Sequence, residues 1–222
     1  MASKADLKAI EGPAEAAASA AFLRPAYRLF VSKQVRHDLI LPALRMLAAY
    51  LGSQGLDREP EALCAAALYI AFRHPNTYPN PVPRSYFASH APKRTKRYPA
   101  DPLFDDPFKV KETSIDWYAK RLIEKLNIIV LYDERGLPYF LERNGPIYRL
   151  VEALAEEAAT DAIVISHVAN QQELMEAVVN ELLDRILNVL RLVPSVFRAS
   201  LYEYLAPQVE ALVENTKWAL GL

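Results

Sequence analysis

The chain has 222 residues, 52% of them hydrophobic and 24% charged, with 26 Lys and Arg against 27 Asp and Glu. That is ordinary globular composition, long enough to bury a sizeable core, and it excludes a disordered chain. Six glycines against 16 prolines leave proline to make most of the breaks.

No apolar run reaches the roughly 18–20 residues that cross a bilayer. The N-terminus lacks the continuous apolar stretch of a secretion signal. The single cysteine, Cys64, lies in the apolar run Ala62–Ala71 and is expected to be a small buried hydrophobe rather than a nucleophile. A cytoplasmic location and no membrane partner are expected. Charge is uneven. Residues 84–125 hold ten Lys/Arg and six Asp/Glu, whereas residues 145–222 hold five and eleven. This predicts a basic face in one part and an acidic, protein-binding face in the other.

Residues 1–22 read as a tail, or as the start of a first helix near Pro13. Leu39, Ile40, Ala43, Leu44, Leu47, Ala48 and Leu51 then recur at three- and four-residue spacing, one stripe of a helix that Gly52 is expected to stop. Asp57-Arg58-Glu59-Pro60 carries a capping acid and a proline near the first turn. The helix it opens, Glu61–Arg73, is apolar on all sides, so other helices must surround it. His74–Pro83 is a proline-rich connection, Pro83–His90 a short helix, and Pro92–Phe108 a long loop, of a kind usually functional or mobile. The next helix is expected to start at Thr113, with Asp116 as its capping-box partner and Ile115, Tyr118, Ala119, Leu122, Ile123 and Leu126 facing inward.

At Ile128 the period changes. Ile128–Tyr132 and Leu137–Leu141, separated by Asp133-Glu134-Arg135-Gly136, read as a β-hairpin with Pro138 on an edge. Asn144-Gly145-Pro146 is expected to cap a helix to about Ala159. Two amphipathic helices follow, Gln171–Leu192, burying Leu174, Val178, Leu182, Ile186 and Leu190, and Ser195–Leu220, burying Leu201, Leu205, Val209, Leu212 and Val213. The expected organisation is a tail (1–22), a helical domain (23–127), a hairpin (128–144) and a C-terminal helical region (145–222).

Catalytic motifs are missing from the sequence. The four histidines have no metal-ligand spacing, there is no glycine-rich phosphate loop, and Asp101, Asp105 and Asp106 lack an EF-hand's pattern. No cofactor, metal or enzymatic activity is expected. The binding signal is basic and aromatic: Arg84, Lys93, Arg94, Lys96, Arg97, Lys111, Trp117, Lys120, Arg121 and Lys125. A helix pair whose second member carries Lys and Arg is how a helix-turn-helix meets DNA, although a linker of about twenty residues is far longer than the usual turn. In that reading the hairpin is a wing.

The segments Leu44–Gly52, Ala65-Ala-Ala-Leu-Tyr-Ile-Ala-Phe-Arg73, Pro83–Ala88 and Tyr118–Leu126 together resemble a cyclin-box repeat of the transcription factor B type. The likeness covers Leu44–Ile128, about 85 residues. It implies a mainly α, cyclin-like bundle with a helix-turn-helix-like half able to meet DNA or an acidic peptide. The chain departs from that family in having no zinc ribbon, an enlarged loop at Lys93–Phe108 and no recognisable second repeat. The expected function is a non-catalytic, DNA-associated transcription regulator. The alternative is a protein-interaction scaffold using the bundle and the acidic region 145–222 as a partner surface.

Overall fold

The computed structural model describes residues 13–54, 59–80, 82–88, 103–104, 108–143, 149–151, 153–158 and 171–220, with backbone alone at 13–20, 53–54, 171–172, 174 and 215–220. The described chain is mainly helical with one two-stranded antiparallel hairpin. It divides into two compact units: residues 1–73 with 79–128, and residues 74–78 with 129–222.

Three helices lead the first unit: α1 (Pro13–Ser32), α2 (His37–Gln54) and α3 (Pro60–Phe72). A 3₁₀ turn at Arg84–Phe87 and α4 (Glu112–Lys125) follow. Helix therefore covers residues 13–22, which the sequence left between a tail and a first helix. Every residue of α3 from Ala62 to Phe72 is buried. α3 packs against α1, α2, the 3₁₀ turn and α4. Ala62, Ala65, Ala66 and Ala67 have no exposed surface, so their small side chains let the flanking backbones come close. An aromatic cluster extends this core outward: Tyr69, Phe72 and Phe87 meet at 5.8–6.5 Å. Phe104 reaches Tyr86, Phe87 and Phe108 at 5.4–5.6 Å. Leu103, Phe104 and Phe108 thus anchor the described residues of the long loop in the core.

Several helix boundaries depart from the sequence reading. Gly52 does not stop α2, which runs on to Gln54. Its backbone stays out of the left-handed region, so it is an interior residue rather than a C-terminal cap. Glu59 holds the N-cap position of α3 and makes no side-chain cap; its N–H donates to Tyr118 Oη at 3.2 Å. Asp57 lies outside the described residues. Lys111, not Thr113, is the N-cap of α4. The expected 83–90 helix is the 3₁₀ turn, and His90 lies outside the described residues.

In the second unit, β1 (Ile129–Tyr132) pairs antiparallel with β2 (Pro138–Leu141), Ile129 opposite Leu141 and Tyr132 opposite Pro138. The turn is held by Asp133, whose Oδ1 accepts from the N–H groups of Arg135 and Leu137, both at 2.9 Å. Gly136 takes φ +70°, where a side chain is strained. Burial pushes the Asp133 carboxyl up, but the Leu137 N–H and the Arg135 side chain and N–H outweigh it and hold it below its ordinary value. Helical residues 149–151 and 153–158 (α5), α6 (Gln171–Asp184) and α7 (Arg198–Leu220) complete the unit. Leu131, Tyr139, Leu182, Leu183, Ile186, Phe197, Leu201 and Val209 form its core. The strands read from sequence as a wing therefore give their apolar side to this core. Tyr78, Tyr139 and Phe197 cluster at 4.9–5.8 Å.

The long helix expected over Gln171–Leu192 ends early. Residues Arg185–Val189 form a π turn, with Leu190 N–H donating to the Arg185 carbonyl at 2.8 Å. The wider turn puts the 3.6-residue stripe out of phase. Leu190, expected inside, is consequently exposed, as is Val189.

Two stability tests follow from this architecture. A Cβ at Gly52 meets nothing within 4 Å. Gly52→Ala is therefore expected to raise the unfolding free energy by about 0.5–1 kcal/mol in urea melts. His74 caps the 3₁₀ turn Pro75–Thr77, its Nδ1 accepting the Asn76 N–H at 3.2 Å, and burial holds its pKa below the ordinary 6.5. The folded state thus favours neutral His74. Its contribution is complete above the unfolded value and is lost as pH falls through that value toward the lower folded one. His74→Asn, which keeps an acceptor at the cap, should flatten this part of the stability–pH curve in melts between about pH 7.5 and 5.

Candidate binding face of α4

α4 is amphipathic because its apolar residues keep helical spacing: Ile115, Tyr118, Ala119 and Leu122 are buried against the first unit's core. Ile123 and Leu126, expected inside, are half-buried. The opposite face exposes Thr113, Trp117, Lys120, Glu124 and Lys125. Trp117 is 51% exposed, unusual for so large a ring.

Trp117 does not stand alone. The guanidinium of Arg121, one turn on, lies 4.9 Å from its ring and 5.9 Å from the ring of Tyr50 on α2. A guanidinium over an aromatic face contributes about 0.5–1 kcal/mol at an exposed site and fixes both side chains. Tyr118 meets Trp117 edge-on with ring centroids 4.7 Å apart. The outcome is a pre-ordered aromatic–cationic platform.

The structure divides the ten predicted contact residues. Lys93, Arg94, Lys96 and Arg97 lie outside the described residues. Asp116 joins two others: Arg84 reaches its Oδ1 and Lys120 its Oδ2, the latter at 2.8 Å. The Asp116 carboxylate thus bonds cations, not the helix N-terminus as a capping box requires. Lys111 and Lys125 are exposed at opposite ends of α4, about 20 Å apart at 1.5 Å per residue. Between Glu112 and Lys125 three acids (Glu112, Asp116, Glu124) balance three bases (Lys120, Arg121, Lys125). Acids and bases therefore interleave on α4, while the described residues of 84–125 together keep a surplus of positive charge, six bases against three acids.

Sequence reasoning missed a polar network at the end of α3. Arg73 is 2% exposed, and its Nη1 donates to the carbonyls of Asn80 at 2.6 Å and Val82 at 3.4 Å. The Asn80 side chain in turn bonds the Phe72 carbonyl and the Val82 N–H. A cation closing an apolar helix was the available signal, since helix C-termini favour positive charge. The network satisfies groups that would otherwise be buried unpaired, so its role is structural.

Other chemistry is sparse among the described residues. No group of three or more His, Cys, Asp or Glu is placed to hold a metal. Cys64 is 1% exposed and its thiol is pushed up to about 12 by burial and then by the charge of Glu61. A thiol in that state is not a nucleophile at neutral pH. No described helix is long and apolar enough to cross a membrane. Comparison of the chain with protein-family models, curated proteins and solved structures finds no match in any of the three.

The bridge through Asp116 is partly exposed on both sides. A double-mutant cycle with Arg84→Gln and Asp116→Asn should accordingly give a coupling of only about 0.2–1 kcal/mol, read from urea unfolding.

Proposed function

We propose that the protein is a non-catalytic interaction module that docks a protein partner on the exposed face of α4. The observation that carries this reading is the Trp117–Arg121 platform on a helix whose net charge is zero. Tryptophan and arginine are the residues most enriched at binding hot spots, and a pre-ordered pair loses little side-chain entropy on docking. A duplex backbone instead rewards a surplus of positive charge, and each acid among the bases subtracts from it. The resemblance of Leu44–Ile128 to a cyclin box belongs to the same reading, supported by the wholly buried α3 packed between its neighbours. A reducing, cytoplasmic setting suits the single free and buried Cys64.

The second reading is DNA association in the manner of a transcription regulator. One feature favours it, the basic run Lys93-Arg94-Thr95-Lys96-Arg97 that precedes α4 in sequence. The partner would then span that run and the bases of α4.

One pair of measurements separates the two. With the full chain as bait, a stoichiometric protein should be retained after nuclease treatment and lost with Trp117→Ala or Arg121→Ala, each weakening binding by about tenfold or more. Retention of that protein undiminished by both variants overturns the α4 reading. In fluorescence anisotropy with a mixed-sequence duplex at about 50 mM salt, the docking reading expects no binding. Tight binding that collapses by about 200 mM, and with Lys96→Glu/Arg97→Glu, would establish the DNA reading instead.

A further inference from the structure

A second pair of surfaces is carried by α1 and α7, one in each unit. On α1, the described stretch Ala21–Ser32 contains no acid, and Arg24, Tyr27, Arg28 and Val31 are all exposed. Their i, i+3, i+4, i+7 spacing puts them on one stripe. Tyr27 is 50% and Val31 49% exposed, so the stripe combines two cations with a considerable apolar area. Among the described residues, neither arginine has an ion-pair partner.

α7 carries the opposite pattern. Between Ala199 and Glu214 it has no Lys or Arg, while Glu203, Pro207, Glu210 and Glu214 are exposed at i, i+4, i+7, i+11. These glutamates too have no ion-pair partner among the described residues. Beside them Pro207 and Ala211 offer a low, weakly polar surface on which a flat ring can lie.

The two stripes match in spacing as well as in sign. Arg24 and Arg28 are four residues apart, and so are Glu210 and Glu214, each pair about 6 Å along its helix. Laid antiparallel, the helices bring Arg24 opposite Glu214 and Arg28 opposite Glu210, with Tyr27 and Val31 over Pro207 and Ala211. We propose that α1 of one copy of this chain docks on α7 of a second copy, through these two charge pairs and the apolar residues between them.

Both stripes are solvent-exposed, so each charge pair adds little and salt screens it. A single helix-on-helix contact also buries less than the about 1,200 Å² of a stable interface. The association is therefore concentration-dependent and confined to low ionic strength.

Charge exchange tests this directly with the full chain in sedimentation velocity, at about 25 and 300 mM salt and concentrations up to a few hundred micromolar. The wild type should sediment faster with rising concentration at low salt and as a monomer at high salt. Arg24→Glu/Arg28→Glu should stay monomeric throughout, and so should Glu210→Arg/Glu214→Arg. Mixing these two variants should restore the complex, because each then offers the other an opposite stripe. That rescue also shows that both variants are folded. A wild type that remains monomeric at low salt overturns the proposal, as does a mixture that fails to associate. A low-salt complex that both charge-reversed variants still form on their own overturns it equally. Loss of binding to anionic vesicles or duplex DNA in Arg24→Glu/Arg28→Glu, with self-association unchanged, would assign the α1 stripe to those ligands instead.

Discussion

The first unit depends on one packing constraint, a helix with no solvent face. Eleven consecutive residues of α3 are buried. A helix surrounded in this way must meet its neighbours on every side, and only small side chains allow several backbones to approach together. The alanines at 62, 65, 66 and 67 meet that requirement. Leu63, Leu68, Ile70 and Phe72 fill the spaces between the flanking helices. Overfilling any of the alanine positions would push against the neighbouring helices α1, α2 or α4, the last of which bears the Trp117 face.

From that constraint follows the behaviour of polar groups near α3. Arg73 is drawn below the surface at its C-terminal end, where it closes carbonyls from two further residues. Lys33, also buried, lies 3.5 Å from Glu61 and 4.9 Å from the ring of Phe108. In both cases a cation is tolerated because its partners are fixed by the same packing. The exposed chemistry is thereby displaced outward onto α4, where Asp116 holds two bases and Arg121 lies between two rings. A face arranged like this offers shape and stacking beside its charges, and the proposed docking of a protein partner rests on that.

The second unit is organised by different means. Its hairpin is pinned by a buried aspartate in the turn and by Ser200, whose hydroxyl accepts the Tyr132 N–H at 3.0 Å. The π turn at Arg185–Val189 then shifts the phase of its helix and turns Val189 and Leu190 outward. Acidic residues collect on the solvent faces of α6 and α7, among them Glu173, Glu176, Glu181, Glu203, Glu210 and Glu214. Together with the α1 stripe they give the chain opposite charges on separate helices.

The sequence by itself determined the helical class, the buried α3, the inward stripes of α2, α4 and α7 and the hairpin near Ile128–Leu141. These are local periodicities of 3.6 and 2 residues, legible in the sequence wherever the helix or strand stays regular. What the tertiary structure decided was which charges remain available. Ten basic residues read along the chain looked like one face. Asp116, placed opposite Arg84 by the packing of α4 on the 3₁₀ turn, shows that acids share it. The same holds for caps and phase. Asp116 was expected to cap α4 and instead pairs with cations, and Leu190 was expected inside but follows a π turn outward. Such outcomes depend on contacts between residues far apart in sequence, or on one extra residue in a turn, and neither leaves a periodic trace in the sequence.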